Sequence, residues 1–148
     1  MQEAVVRPIG TVHNEVKEIG RRAWEQVTSR IVIDESLEES LKGLEEFSHI
    51  VVVFWLHRAT AGRRPGGKTH PQGRADLPSV GLFSTRSPYR PNPIGVTVSR
   101  LVERRGNVLV VTGLDAIDGT PVLDIKPHLP PREPLADFRM PDWAHKLR

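Results

Sequence analysis

The chain has 148 residues, enough for one compact domain that buries a real core. It contains no cysteine, which excludes disulfide scaffolds, thiolate zinc sites and thiol nucleophiles. Its 21 Lys and Arg against 18 Asp and Glu give a formal charge of +3, a mild excess that permits an RNA partner without requiring one.

Residues 1–5 show no charged segment followed by an apolar one, and no apolar run nears the roughly 20 residues that span a bilayer. A cytoplasmic protein with no membrane partner is expected. Over residues 4–13, Val5, Val6, Ile9 and Val12 are interrupted by Pro8 and Gly10, the pattern of a strand with an irregular middle. A second strand is predicted over 27–33, where Ile31, Val32 and Ile33 supply β-branched side chains. The period then changes. Leu37, Leu41 and Leu44 recur at helical spacing over 35–46, with Phe47 extending the stripe and Ser36 and Glu39 forming a capping box.

Residues 48–57 form a nearly continuous apolar run, read as a central strand buried on both faces, which delivers His57 and Arg58 at its end. A long Gly, Pro and Arg-rich loop follows over 59–78. Strands are predicted again over 79–85, 94–103 and 107–114, the last two joined by a tight turn at Arg104-Arg105-Gly106-Asn107, and a short strand closes the series over 120–126. Many strands and one helix favour a mainly antiparallel barrel over a doubly wound sheet. From 127 onward Pro130, Pro131, Pro134 and Pro141 rule out a long helix. This tail is expected to pack on the barrel or on a second subunit, anchored by Phe138 and Trp143, so the chain reads as a single domain over 1–148.

Seven basic residues, Arg58, Arg63, Arg64, Lys68, Arg74, Arg86 and Arg90, fall in a stretch where Asp76 is the only acid. Such clustering suits a polyanionic ligand, although a charge run also serves as a solvated loop. No phosphate-binding loop accompanies it, since Gly62, Gly66 and Gly67 neither follow a strand at the right spacing nor precede a helix. The histidines carry no metal signature: His49 and His57 lie eight apart, and His70 stands alone in the loop.

Two segments could carry chemistry. In Ser84-Thr85-Arg86-Ser87-Pro88-Tyr89-Arg90-Pro91-Asn92-Pro93-Ile94-Gly95, three prolines fix φ and hold the chain in one path. There Arg86 and Arg90 offer guanidinium forks and Asn92 both a donor and an acceptor, either to a ligand or within a rigid turn whose arginines pair with nearby acids. In the second segment, Asp118-Gly119 signals a turn whose amides and carbonyls either line a pocket or simply close a hairpin.

These segments, 81–95 and Asp118-Gly119-Thr120-Pro121-Val122-Leu123-Asp124-Ile125-Lys126-Pro127, together with Leu44-Glu45-Glu46-Phe47-Ser48-His49 leading into Trp55-Leu56-His57, resemble the paired signature of the TrmO or TsaA-like family. The resemblance runs from Ile9 to about Pro130. It implies a single-sheeted β-barrel that binds S-adenosylmethionine, assembles as a homodimer and methylates N6 of threonylcarbamoyladenosine beside the tRNA anticodon. By motif position it further implies that His57, Arg58, Arg86, Asp118, Gly119, Thr120 and Pro121 contact the cofactor, with Tyr89, Arg90 and Asn92 on the substrate side. The two segments are thus expected to converge on one pocket. The chain departs from longer bacterial members in having too few residues after Pro130 for their additional C-terminal domain, which would help to hold tRNA. A small-molecule methyltransferase of the same fold and a non-catalytic RNA-binding module are the competing readings.

Overall fold

The structure, a computed structural model, describes residues 2–59, 66–131 and 135–147. Gly62, Arg63, Arg64 and Pro134, singled out above, lie outside the described residues. The strands in chain order are β1 (Gly10–His13), β2 (Thr28–Ile33), β3 (His49–Trp55), β4 (Lys68–Thr69), β5 (Val80–Gly81), β6 (Ile94–Arg105), β7 (Val108–Thr112) and β8 (Pro121–Pro127). The chain divides into two compact units, Met1–Arg58 with Ile94–His128 and Ala59–Pro93 with Leu129–Arg148.

The first unit is a closed antiparallel barrel in the order β1-β2-β7-β6-β3-β8. Closure comes from β8, which pairs with β3 on one side and places Val122 and Pro121 opposite Gly10 and Thr11 of β1 on the other. Alternate residues point inward, as the two-residue period of a strand requires. Val12, Ile31, Ile33, Ile50, Val52, Phe54, Leu101, Leu109, Val111 and Val122 fill the interior, each of the larger side chains contributing roughly 1.5–3 kcal/mol by leaving water. The hairpin at residues 104–107 forms as predicted, with Arg105 opposite Val108. Register shifts occur between Leu101 and Glu103 on the β6–β7 ladder and between Val53 and Phe54 on the β3–β8 ladder, the extra residues that let a strand bend around a small barrel.

Several expectations are corrected. The strand expected over 4–13 is confined to Gly10–His13, although the Ile9 amide still donates to the Val122 carbonyl at 2.7 Å. The helix expected over 35–46 is instead two 3-10 segments, Glu35–Leu41 and Leu44–Glu46. Gly43 separates them at φ 86°, a left-handed conformation that no helix can pass through. The cap is Asp34, whose carboxylate accepts from the Ser36 amide, in place of the expected Ser36 capping box. β3 is not buried on both faces, since Ile50, Val52 and Phe54 point inward while Val51, Val53 and Trp55 face outward and are half-buried. A continuous apolar run conceals this alternation because the outer wall is apolar as well.

The second unit overturns the strand expected over 79–85. Only Val80–Gly81 pair, with Lys68–Thr69, and Leu82–Ser84 turn into a 3-10 helix. The loop expected over 59–78 therefore carries a strand and a 3-10 turn at Pro71–Gly73. Arg74 organises this unit. Its guanidinium grips Asp76 through two bonds, 3.1 and 2.7 Å, and donates to the Lys146 carbonyl at 2.8 Å. Gln72 donates to the Leu147 carbonyl at 3.3 Å, so the tail is held by its own unit, where Asp142–Leu147 form a 3-10 helix. Phe138 is 66% exposed and is no anchor. Trp143 is half-buried.

Candidate functional site

The turn at residues 117–120 is fastened through its backbone to β1 and to the loop that follows it. The Asp118 amide donates to Val16 O at 2.7 Å, the Gly119 amide to Val12 O at 2.8 Å and the Thr120 amide to Ile117 O at 3.3 Å. All three amides are thus spent inside the protein, which corrects the expectation that the turn exposes them. What the turn can still offer a ligand is acceptor capacity, because a carbonyl oxygen has two lone pairs.

Its side chains are anchored as well. Asp118 Oδ1 accepts from the Asn14 amide at 3.0 Å, and Oδ2 accepts from Lys17 Nζ at 2.6 Å. The Lys17 bond, then the Asn14 amide, hold the Asp118 carboxyl below the usual carboxylate range. Asn14 acts as a clasp. Its Nδ2 donates to Ala116 O at 2.8 Å and to the buried Ser29 hydroxyl at 2.9 Å, while its Oδ1 accepts from the Val16 amide at 2.9 Å. Thr120, 2% exposed, packs inward, and Pro121 opens β8.

His57 and Arg58 follow β3 in a turn, where the His57 amide donates to Trp55 O at 2.8 Å. His57 is half-buried. Arg58 donates to the Lys17 carbonyl at 2.6 Å and lies 4.0 Å from Glu18. Arg58 and Asp118, expected to act together, are therefore brought to one loop, residues 14–18, with Lys17 touching both.

The remaining expected residues, Arg86, Tyr89, Arg90 and Asn92, belong to the second unit. The three prolines do not hold this segment alone. Thr85 Oγ1 donates to Leu82 O at 2.7 Å and accepts from the Ser87 amide at 3.2 Å, and Ser87 Oγ accepts from the Tyr89 amide at 3.4 Å. Arg90 is an internal pin. Its Nη1 donates to Thr85 O at 2.8 Å and to Ser87 O at 3.4 Å, and its guanidinium stands 5.6 Å from the centre of the Phe83 ring. It binds carbonyls, not the nearby acids foreseen as its alternative role. Tyr89 is half-buried, and Asn92 and Arg86 are exposed. Arg86 makes no hydrogen bond or ion pair with the described residues, which leaves its fork open to a carboxylate.

Asn14 and Lys17 escaped the sequence reading because nothing in a short polar stretch says which side chain folds back on a turn about a hundred residues later. A shallow depression bounded by Pro8–Thr11, Val32–Glu35 and Asn107 contains none of the expected residues. Among the described residues no group of His, Asp and Glu could hold a metal, and no helix is long and apolar enough to cross a membrane.

The family model described as the tRNA-methyltransferase O N-terminal domain matches residues 9–133. A probable S-adenosyl-L-methionine-binding protein of Pyrococcus abyssi is 39% identical over 145 residues, covering 95% of this chain and 76% of that protein. The human tRNA (adenine(37)-N6)-methyltransferase is 42% identical over 115 residues, 73% of this chain but 26% of that protein. Among solved structures, TrmO from Pseudomonas aeruginosa superposes with a TM-score of 0.73 at 32% identity, covering 93% of this chain and 61% of that one. The chain thus spans about a quarter of the human enzyme and under two thirds of the bacterial structure.

Proposed function

Because the chain belongs to the family of tRNA-methyltransferase O N-terminal domains, we propose that it is an S-adenosylmethionine-dependent methyltransferase that modifies N6 of threonylcarbamoyladenosine next to the tRNA anticodon. What supports the reading is that the matched span, 9–133, takes in the whole barrel and both motif segments, so the likeness is not confined to a scaffold. The cytoplasm, where tRNA is modified, is the compartment this substrate implies.

The donor set fits the cofactor. Its adenine amino group and ribose hydroxyls donate, and the 117–120 turn has spent its amides and keeps acceptors. Its carboxylate needs a cation, and Arg86 holds one in reserve. We assign His57, Arg58, Arg86 and the Asp118, Gly119, Thr120 and Pro121 turn to the cofactor, and Tyr89, Arg90 and Asn92 to the side of the substrate. In this assignment Asp118 and Arg90 act by fixing backbone shape, since Lys17 and the Thr85 carbonyl already occupy their charged groups.

When bound, the cofactor supplies a methyl group on a sulfonium. The acceptor N6 must lie in line with the departing sulfur, so the protein's chief task is to hold both in one geometry. The fastened turn and the proline-stiffened segment are rigid supports of the kind this task needs. The nitrogen loses a proton as it is alkylated, and His57, half-buried and next in the chain to Arg58, which bonds the loop that clasps the turn, is a side chain able to accept one.

We also read the protein as a homodimer. The support is an apolar face on the barrel wall, where Ile94, Val96 and Val98 of β6, 38–49% exposed, lie opposite Trp55, Val53 and Val51 of β3. A second copy of the chain would bury it against its like, as two-fold interfaces do.

The experiment is methyl transfer from labelled S-adenosylmethionine to tRNA from cells lacking the modification, followed by nucleoside mass spectrometry. A methylated threonylcarbamoyladenosine is expected. Transfer to a small molecule but not to tRNA would replace the substrate, and binding of tRNA that ignores the cofactor would replace the activity.

A further inference from the structure

The cations on the barrel strands are of two kinds. Arg104 reaches Glu45 at 3.2 Å, Arg105 reaches Glu103 at 2.8 Å and Lys126 reaches Asp124 at 2.6 Å. Arg30 of β2 and Arg100 of β6 are exposed and make no ion pair or hydrogen bond through their side chains with the described residues.

The strand register puts these two on strands separated only by β7. Arg100 lies opposite His49 of β3 and opposite Thr112 of β7. Thr112 lies opposite Thr28 of β2, and Arg30, two residues farther along that strand, lies opposite His13 of β1. Each stands out of phase with a buried neighbour, Ile50, Ser99, Val111, Ser29, Ile31 or Val12, so all face outward. The strip takes in five of the barrel's six strands, spaced about 4.8 Å, so it curves round much of the cylinder, and its centre is the β2–β7–β6 segment, roughly 10 Å wide, that carries Arg30, Thr28, Thr112 and Arg100. Its side chains are hydrogen-bond donors, with two fixed positive charges and two imidazoles that add charge when protonated. Two carboxylates adjoin the strip: Asp118, whose Oδ1 stands 3.9 Å from His13 Nδ1 and whose Oδ2 is engaged by Lys17, and Glu103, opposite Val110 and engaged by Arg105.

We propose that this strip is a phosphate-binding face, against which the backbone of the RNA substrate lies. The inference rests on the reading of the chain as a tRNA methyltransferase and names the surface by which it holds its substrate. A polyanion fits better than an acidic protein. The strip has a donor on each of five strands, and Val110, opposite Arg30, is half-buried and offers little apolar anchor, which suits contacts that follow a backbone and carry no sequence information. It would supply phosphate contacts from within the barrel. Arg30 and Arg100 make no hydrogen bond or ion pair through their side chains with the described residues, so their replacement is expected to disturb binding more than the fold.

The test is equilibrium binding of unmodified tRNA to the full chain from about 50 to 200 mM salt, the range over which phosphate contacts dominate the change in affinity. We compare the wild type with R30E/R100E and with Arg105→Gln, which removes a charge already spent on Glu103. R30E/R100E is expected to raise Kd at least tenfold at the lowest salt and to lower the log–log salt slope by about two. Arg105→Gln is expected to change neither, and Tm and S-adenosylmethionine affinity are expected to stay as in the wild type. Should the double reversal fold poorly, R30Q/R100Q is expected to give the same slope change with a smaller loss. Equal affinity and slope in wild type and variant would overturn the proposal. So would competition by polyglutamate as effective as that by tRNA, which would give the strip to an acidic protein. A wild type that binds tRNA in this way yet transfers no methyl group would defeat the enzymatic reading and leave the strip standing.

Discussion

Phe54 and Gly95 face each other across the β3–β6 ladder, and the ring of one occupies the space where a side chain on the other would begin. A Cβ at position 95 would stand 2.6 Å from the ring's Cζ and 3.0 Å from its Cδ2. The glycine that ends the proline-rich motif is therefore demanded by the core.

Gly95→Ala is accordingly expected to cost about 1–3 kcal/mol, the range for overpacking a filled core. Urea unfolding measures it. Replacing Phe54 by Leu in the same chain should cost less than the sum of the two single changes, because the smaller side chain gives way. Strict additivity would mean that the ring is not what the new methyl meets.

Asp118→Asn tests the clasp. The carboxyl is depressed in the folded protein by Lys17 and the Asn14 amide, so its contribution is fully present above the unfolded value near 3.9. It disappears as the pH falls through the folded value, where the native carboxylate takes up its proton. The variant should melt lower than the wild type at pH 7, and the gap should close below about pH 4. A gap that persists into acid would show that the lost interactions do not depend on the charge. Lys17→Met should reproduce the neutral-pH loss.

Arg86→Ala should weaken S-adenosylmethionine binding by tenfold or more, the scale of about 1.4 kcal/mol, which is modest for a hydrogen bond to a charged group. Calorimetry reads the affinity. Because Arg86 has no partner among the described residues, Tm without cofactor should not move, and the stabilisation that cofactor confers should shrink in step with affinity. Unchanged affinity would remove Arg86 from the cofactor set.

Val96→Glu places a charge in the middle of the apolar wall of β3 and β6. If that wall joins two copies, light scattering should report a monomer at concentrations where the wild type is a dimer. A variant that remains dimeric would send the interface elsewhere.

Much of the barrel was legible because each strand carries its own signal. The β-branched run of β2, the hairpin at Gly106 and the Asp118-Gly119 turn before β8 all lie where the residues indicated. The error over residues 79–85 has the opposite cause. Val80 and Gly81 pair only because Lys68–Thr69 return beside them, and two residue pairs are too short a ladder to commit Leu82–Ser84 to a strand. The helix failed at one residue, Gly43, whose left-handed backbone the leucine spacing cannot reveal. For the candidate site, the motifs single out segments whose internal bonding they do not foretell. Arg90 resembles a ligand-binding arginine and spends Nη1 on carbonyls of its own loop, while Asn14, which nothing marked, secures the turn.

The seam between β1 and β8 also constrains how the protein is made. Of the barrel strands, β1 leaves the ribosome first and finds one neighbour early, in β2, but its other neighbour, β8, is the last of them to be synthesised. Until then a nascent chain carries an open sheet edge and an unroofed interior of Ile31, Ile50 and Val52. Such long-range closure is slow. The stretch that completes the cylinder is also the one bearing the Asp118 turn, so a chain released before Val122 is translated leaves that turn without the closed barrel that holds it.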